Sequence, residues 1–292
     1  MQVIEREKGQ LYIDLGFIFQ EPKPAVSYFD WVVTNKGDQD VRRLYDRHYT
    51  RDPKKIGNRQ FTRPGPNVVL KTDDNKAGWV AWHSSYRKDG FDAFECTMYR
   101  NESPKYKSSE MIKIAVLATI EEFKKNGIEL PKDGVITYVN DEKIQNHSNP
   151  GYCFMRAGFR KLKQKSKTRG LTTLQISHDM IMLLYREVDL KQHLKWCNEN
   201  IKTALGEGGE QHEAFWFQQE FMRCRVELLD VQQEMKEMKI KAWSDYDKTI
   251  SWEALEEMLS PYEEVEFDQC YNDFDEFVDD YMFSEEEEWE EQ

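Results

Sequence analysis

The sequence predicts an α/β (α+β) fold: a mixed, mostly antiparallel sheet with flanking helices, followed by a C-terminal helical region and an acidic tail. Three observations carry this. Short β-compatible runs separated by turn residues form a meander between residues 68 and 99. An apolar helix, Met111–Phe123, lies between two further strand-like runs, Phe91–Tyr99 and Val135–Val139. From about Asp179 the strand signals give way to helical periodicity, and the chain ends in acids. The expected division is residues 1–178 as the sheet domain, 179–260 as helices docked on it, and 261–292 as a tail without structure of its own.

Taken in order, residues 3–19 read as one or two strands (Val3-Ile4, Leu11–Ile13, Phe17–Phe19), broken by Pro22 and Pro24. Asp38 suits an N-cap for a helix running through Tyr49, with Val41, Leu44, Tyr45 and His48 at helical spacing. Residues 51–66 read as a basic loop. Val68–Thr72 turns at Asp73-Asp74-Asn75 into Gly78–His83, and Arg87–Gly90 turns into Phe91–Tyr99. The helix beginning near Ser108 is apolar nearly all round (Met111, Ile112, Ile114, Val116, Leu117, Ile120, Phe123), so it belongs in the interior. Asn126-Gly127 ends it. A short turn-and-helix unit, Asn149–Phe159, follows the next strand; Arg160–Arg169 is intensely basic; Gly170–Ser177 reads as the last strand. Beyond it Met180–Tyr185, Leu190–Leu205 and Ala214–Met238 are helical in pattern, the last two separated by Gly206-Glu207-Gly208-Gly209.

The net charge of −13 is unevenly placed. Fifteen of the 54 acidic residues fall in 261–292, which holds no lysine or arginine, so residues 1–260 carry 39 acids against 41 bases. A basic body therefore trails an acidic, aromatic end, and the overall sign does not exclude a nucleic-acid substrate. The tail would suit a basic protein partner. Five scattered cysteines without CxxC spacing point to reduced thiols. No apolar run approaches a membrane span and Met1–Lys8 is charged, so a cytoplasmic protein with no membrane partner is expected. No histidine pairs as HxxxH or HxxE, and there is no GxxxxGK[ST] or GxSxG.

The N-terminus of the central helix gathers Ser108, Ser109 and Glu110 behind Lys105 and Lys107, where a strand ends. Free first-turn amides and the helix dipole suit an anion there. An ordinary capped helix under a solvated loop is an equal reading.

The order strand, loop, buried helix, strand, short helix ending in Gly158-Phe159 resembles the GNAT acyltransferase superfamily. More narrowly, Arg47-His48-Tyr49-Thr50-Arg51, Gly57-Asn58-Arg59-Gln60-Phe61 with Pro64-Gly65, Tyr99-Arg100-Asn101-Glu102, Ser108-Ser109-Glu110 and Pro150-Gly151-Tyr152-Cys153-Phe154 resemble the Mom-like DNA-modification proteins of bacteriophages. The resemblance covers about residues 25–176. It implies an acyl-coenzyme A-dependent enzyme that places a carbamoylmethyl-type group on adenine N6 and protects DNA from restriction. Acetyl-coenzyme A or a relative would be held by Arg100, Lys105, Lys107, Ser108, Ser109, Glu110 and Asn149. Catalytic work would fall to His48, Tyr49, Arg100 and Ser109, with iron on His48, Tyr49 and Asp141.

On residue chemistry alone, His48-Tyr49 also reads as a buried, bonded pair, Arg100 as a salt bridge to Glu102 or Asp141, and Asp141 as a solvated strand-end acid. Basic segments 51–63 (Arg51, Lys54, Lys55, Arg59, Arg63) and 156–169 (Arg156, Arg160, Lys161, Lys163, Lys165, Lys167, Arg169) would meet double-stranded DNA. Two departures from the superfamily pattern stand out. Residues 100–108 contain no glycine, although such loops wrap phosphates with backbone. Phe154 occupies the position of the tyrosine that protonates the leaving thiolate, and Tyr152 is too close along a helix to replace it. An acyltransferase acting on a protein or small amine, or an inert binding protein on the same scaffold, are the alternatives.

Overall fold

The computed structural model describes residues 2–6, 10–14, 31–143, 150–167, 169–206 and 211–246. The expected strand at 17–19, cofactor residue Asn149, the end of the helical region after 246 and the whole tail 261–292 lie outside these residues.

β1 (Gln2–Arg6) and β2 (Gln10–Asp14) form an antiparallel ribbon. The main sheet has seven strands: β3 (Trp31–Thr34), β4 (Asn67–Thr72), β5 (Ala77–Trp82), β6 (Phe94–Asn101), β7 (Val135–Val139), β8 (Arg160–Leu162) and β9 (Thr172–Ile176). Their spatial order is β3-β4-β5-β6-β7-β9-β8. Every neighbouring pair is antiparallel except β6 and β7. That pair is parallel because α2 (Ser108–Lys125) carries the chain back across the sheet between them.

The sheet is covered on both faces, which is why β5 is buried along nearly its whole length. On one face Trp79 Nε1 donates to Thr119 Oγ1 of α2 at 2.9 Å and Trp31 Nε1 to the Met111 carbonyl at 3.1 Å. Neighbouring Gly78 faces the other way, toward α1 (Gln39–Asp46); a Cβ there would stand 3.1 Å from Leu44 Cδ1. Val41, Phe61, Val69, Val80 and Met98 complete that second core.

Asp38 caps α1 as expected, accepting the Asp40 and Val41 amides. The helix stops at Asp46, however, and does not reach Tyr49. Arg51, from the following turn, folds back onto Asp46 at 2.9 Å. His48 and Tyr49 therefore stand in a turn and not on a helix face. The third meander strand starts at Phe94 and extends through Asn101, later than expected at both ends. β3 and β8 add an edge strand at each side. β8 lies within the basic run.

After β9, Ser177 caps α4 (His178–Ala204), which includes the polar stretch between the two segments the pattern had marked. Its interior acid Glu187 is buried between Lys113 of α2 (3.2 Å) and Lys191 (3.0 Å), so polarity there does not interrupt the helix. α5 (Gln211–Tyr246) runs back along α4, joined by Arg186–Glu227 at 2.9 Å and by the Trp196 and Phe217 rings 5.3 Å apart. The pair also holds the sheet domain: Tyr185 Oη donates to Glu121 of α2 at 2.7 Å, and Lys239 Nζ to the Arg156 carbonyl at 3.0 Å.

Candidate functional site

The site follows from one irregularity in the sheet. β6 and β7 pair only over Phe94–Cys96 and Val135–Thr137, although β6 continues to Asn101 and β7 to Val139. On its other side β6 carries a bulge: Val80 faces Met98 and Ala81 faces Cys96, leaving Thr97 as the extra residue. A bulge bends its strand. β7 meanwhile stays paired with β9 as far as Val139 and Thr172. The two parallel strands diverge, and an opening is left beyond Cys96 and Thr137.

The turn after α1 fills that opening. The Tyr49 hydroxyl takes the Asn140 amide at the end of β7, beside Cys96, Cys153 and Asp141. Burial raises the Tyr49 pKa, so the phenol keeps its proton. Its ring lies 4.4 Å from that of His48. His48 is held by Thr50 and by the Tyr99 backbone. Nδ1 stands 2.8 Å from Thr50 Oγ1 and accepts the Thr50 amide at 3.3 Å, and the ring also bonds the Tyr99 backbone. Burial, with Arg100 nearby, lowers its pKa to about 4. His48 is thus a neutral imidazole with its lone pair already used, a poor base and a poor metal ligand.

Cys153 enters from α3 (Tyr152–Arg156). Gly151 makes this approach possible: its φ is 80°, and a Cβ there would stand 2.5 Å from Leu174 Cδ1. Burial pushes the Cys153 thiol up to about 11, so it is protonated. Phe154 is packed among Trp79, Tyr99 and Phe159, an apolar place with no room for an acid's partner.

Arg100 has a structural task. Its Nε bonds Glu102 at 2.5 Å and its Nη1 the Arg47 carbonyl at 2.8 Å, while Arg47 grips Glu102 at 2.7 Å. Of the two salt bridges the sequence allowed it, the one to Glu102 forms.

The α2 N-terminus lies at the end of β6. Its cap residue, Lys107, supplies no side-chain hydrogen bond to the first turn. Asn101 replaces the missing glycines as the loop's organiser. Its Nδ2 donates to the Tyr106 carbonyl (3.0 Å) and to Ser108 Oγ (3.2 Å), and its Oδ1 accepts the Ser103 amide (2.9 Å). Tyr99 Oη donates to the Ser108 carbonyl at 3.2 Å. Ser109 is buried, and Lys105 stacks over the Tyr106 ring at 4.7 Å. Glu110 turns away from the loop to Lys113, at 2.9 Å. First-turn amides with no capping side chain and two lysines in the preceding loop fit an anionic cofactor; Glu110 takes no side-chain part.

Of the residues expected to hold iron, His48 Nδ1 is engaged with Thr50, Tyr49 takes the Asn140 amide, and Asp141 Oδ2 accepts from Thr172 Oγ1 of β9 at 2.7 Å. Among the described residues, the group of three His, Cys, Asp or Glu side chains with ligand atoms close together is His193, Glu220 and Cys224, on α4 and α5.

The basic segments are partly committed. Arg51 is buried on Asp46, and Arg63 pairs with Glu95 at 2.8 Å, leaving Lys54, Lys55 and Arg59 exposed in the first segment. In the second, Arg160 binds Gln175 (2.8 Å), Lys167 the Lys88 carbonyl (3.1 Å) and Lys165 approaches Asp141 (4.0 Å).

Cys153 and Asn101 were named only within the resemblance motifs and given no role, and Asn140 was not named. Asn101 had a usable signal, an amide side chain at a strand end seven residues before a helix-opening serine. The place of Cys153 depends on how α3 packs, which its motif does not encode.

No protein-family model, curated protein or solved structure matches this chain. No helix among the described residues is long and apolar enough to cross a membrane.

Proposed function

We propose that this chain is an acyl-coenzyme A-dependent transferase of the GNAT type, of the Mom-like branch, whose acceptor is the exocyclic amine of adenine in DNA. The observation that carries this reading is the divergence of β6 from β7 with the Tyr49 phenol set into the opening. The seven-strand order, with its single parallel pair and α2 between those two strands, agrees with the same reading.

The first-turn amides at Ser108, Ser109 and Glu110, with Lys105 and Lys107, would hold the pyrophosphate. A bound acyl-coenzyme A would supply an activated thioester carbonyl. Tyr49, protonated and beside Cys153, would deliver a proton to the departing sulfur, the task that Phe154 cannot perform, and the proton that adenine N6 loses on acylation would restore the phenol. Arg100 positions this phenol through the Arg47 carbonyl and touches no reacting atom. Adenine must leave the duplex to reach the opening. Lys54, Lys55 and Arg59 supply exposed charge near the turn that carries Tyr49.

Nucleoside mass spectrometry of DNA from cells expressing the chain tests this. A mass-shifted deoxyadenosine, lost in Tyr49→Phe while the protein stays folded, is expected. Ordinary deoxyadenosine alone, with soluble and abundant protein, refutes it. The engaged His48 and the apolar Phe154 favour a second reading for that outcome, a binding protein on the same scaffold.

A further inference from the structure

We infer that the α4–α5 hairpin contains a divalent-metal site, His193–Glu220–Cys224, of zinc type. His193 Nε2, a Glu220 carboxylate oxygen and Cys224 Sγ all lie within 4.8 Å of one another. One of the three edges already has the length that coordination requires, and a second is about 0.2 Å short of it. Tetrahedral zinc, with bonds of about 2.0–2.3 Å, spaces its ligand atoms roughly 3.3–3.8 Å apart. Here Nε2 to Glu220 Oε1 is 3.1 Å and Sγ to the same oxygen is 3.7 Å.

The geometry has a local cause. Glu220 and Cys224 are one turn apart on α5 and so share a face. His193 meets them from α4, at the level fixed by the Trp196–Phe217 and Arg186–Glu227 contacts on either side. A nitrogen, a thiolate and a carboxylate together suit zinc better than magnesium or calcium, which prefer oxygen alone. The histidine and glutamate side chains are 25% and 19% exposed, enough for an ion to enter, while Cys224 is buried. Three protein ligands leave a coordination position for water or an outside ligand.

A cation already occupies the edge of this group. The Arg223 guanidinium binds Glu220 through Nε (2.9 Å) and Nη2 (2.5 Å), and Nη2 lies 3.8 Å from Cys224 Sγ. The Arg223 side chain is 63% exposed, so it can swing into water when a metal takes its acceptors. Arg223 is therefore a competitor of the metal. This gives the proposal a signature that a plain Glu–Arg–His contact would not have: removing a neighbouring side chain should strengthen binding.

The test uses the full-length protein, reduced and stripped of metal, titrated with zinc and with cobalt(II). A single equivalent should bind, raise the melting temperature and, as cobalt, give thiolate-to-cobalt charge-transfer absorption. His193→Ala should weaken zinc binding by at least about tenfold. Cys224→Ser should abolish the charge-transfer band with helical circular dichroism unchanged. Arg223→Gln should tighten zinc about three- to fivefold, the value of an exposed ion pair. If neither the parent nor Arg223→Gln binds zinc or gains thermal stability from it, the site is a salt bridge and the proposal is wrong. A cobalt thiolate band that survives in Cys224→Ser overturns it equally, since another cysteine would then be the ligand.

Discussion

Arg100, on β6, donates to the carbonyl of Arg47 at 2.8 Å and so closes α1 from a distance of 53 residues. The last carbonyls of a helix need donors. Supplying one from the strand that borders the opening fixes the turn carrying His48 and Tyr49. Arg100→Ala should lower stability by about 1–3 kcal/mol, and should weaken any transferase activity more than it weakens cofactor binding. Arg100→Lys should not rescue it, because an ammonium cannot serve Glu102 and the Arg47 carbonyl along two fixed directions. Denaturant melts and adenine-modification yields read both effects.

The cofactor hypothesis has a readout independent of turnover. Acetyl-coenzyme A at millimolar concentration should raise the melting temperature of the protein by mass action. Lys105→Glu with Lys107→Glu should remove the shift, since it reverses charge in front of the α2 N-terminus without touching the buried Ser109. A parent protein that shows no shift has no such cofactor.

Gly151→Ala should be costly despite its single added methyl. The backbone is left-handed there and the new Cβ would meet Leu174 at 2.5 Å. A loss of about 2 kcal/mol or more follows from strain and overlap combined. Cys153 should also become more reactive toward thiol reagents as α3 lifts from β9, which a labelling-rate measurement detects.

Glu187 ties α2 to α4, and its titration has a definite sign. Burial alone would raise its pKa, but Lys113 and Lys191 override that and hold it at about 2, below its ordinary 4.5. The depressed value means the stabilisation is complete above about pH 4.5 and is lost as pH falls toward 2, a change of roughly 3 kcal/mol. Glu187→Ala should cost about 1–3 kcal/mol at neutral pH, because the buried Lys113 loses one of its two carboxylates and keeps Glu110. Lys239 has the same sign in a higher pH window. Burial, with Lys113 beside it, lowers its pKa to about 8 from 10.5, so stability should rise with pH between those values. Lys239→Met should flatten that rise, and melting curves from pH 7 to 10.5 would show whether it does.

β4, β5, α2 and β7 were legible because each depends on local pattern: alternation, turn residues or an apolar circumference. The end of α1 was not. Val41, Leu44, Tyr45 and His48 continue its spacing, but long-range partners on β6 and in the next turn stop the helix at Asp46. β3 is four residues long with two exposed valines, too short for alternation to register. At the site, the residue types of His48 and Tyr49 drew attention to this turn, but not to how differently the two are bonded. The hold of Thr50 on His48 Nδ1 and the burial behind a pKa of about 4 are properties of packing, which no motif encodes. The pairing of His193 with Glu220 and Cys224 was hidden likewise, since the ligands approach from two helices.

β8 is only Arg160-Lys161-Leu162, and it forms the outer margin of the sheet beyond β9. A margin that brief and that cationic offers an incoming strand almost no ladder to extend and repels a second copy of itself. The sheet thus terminates itself at this side, and fibrillar or domain-swapped growth through β9 is discouraged. Some of the positive charge in residues 160–169 therefore has a use inside a crowded cell that requires no nucleic acid at all.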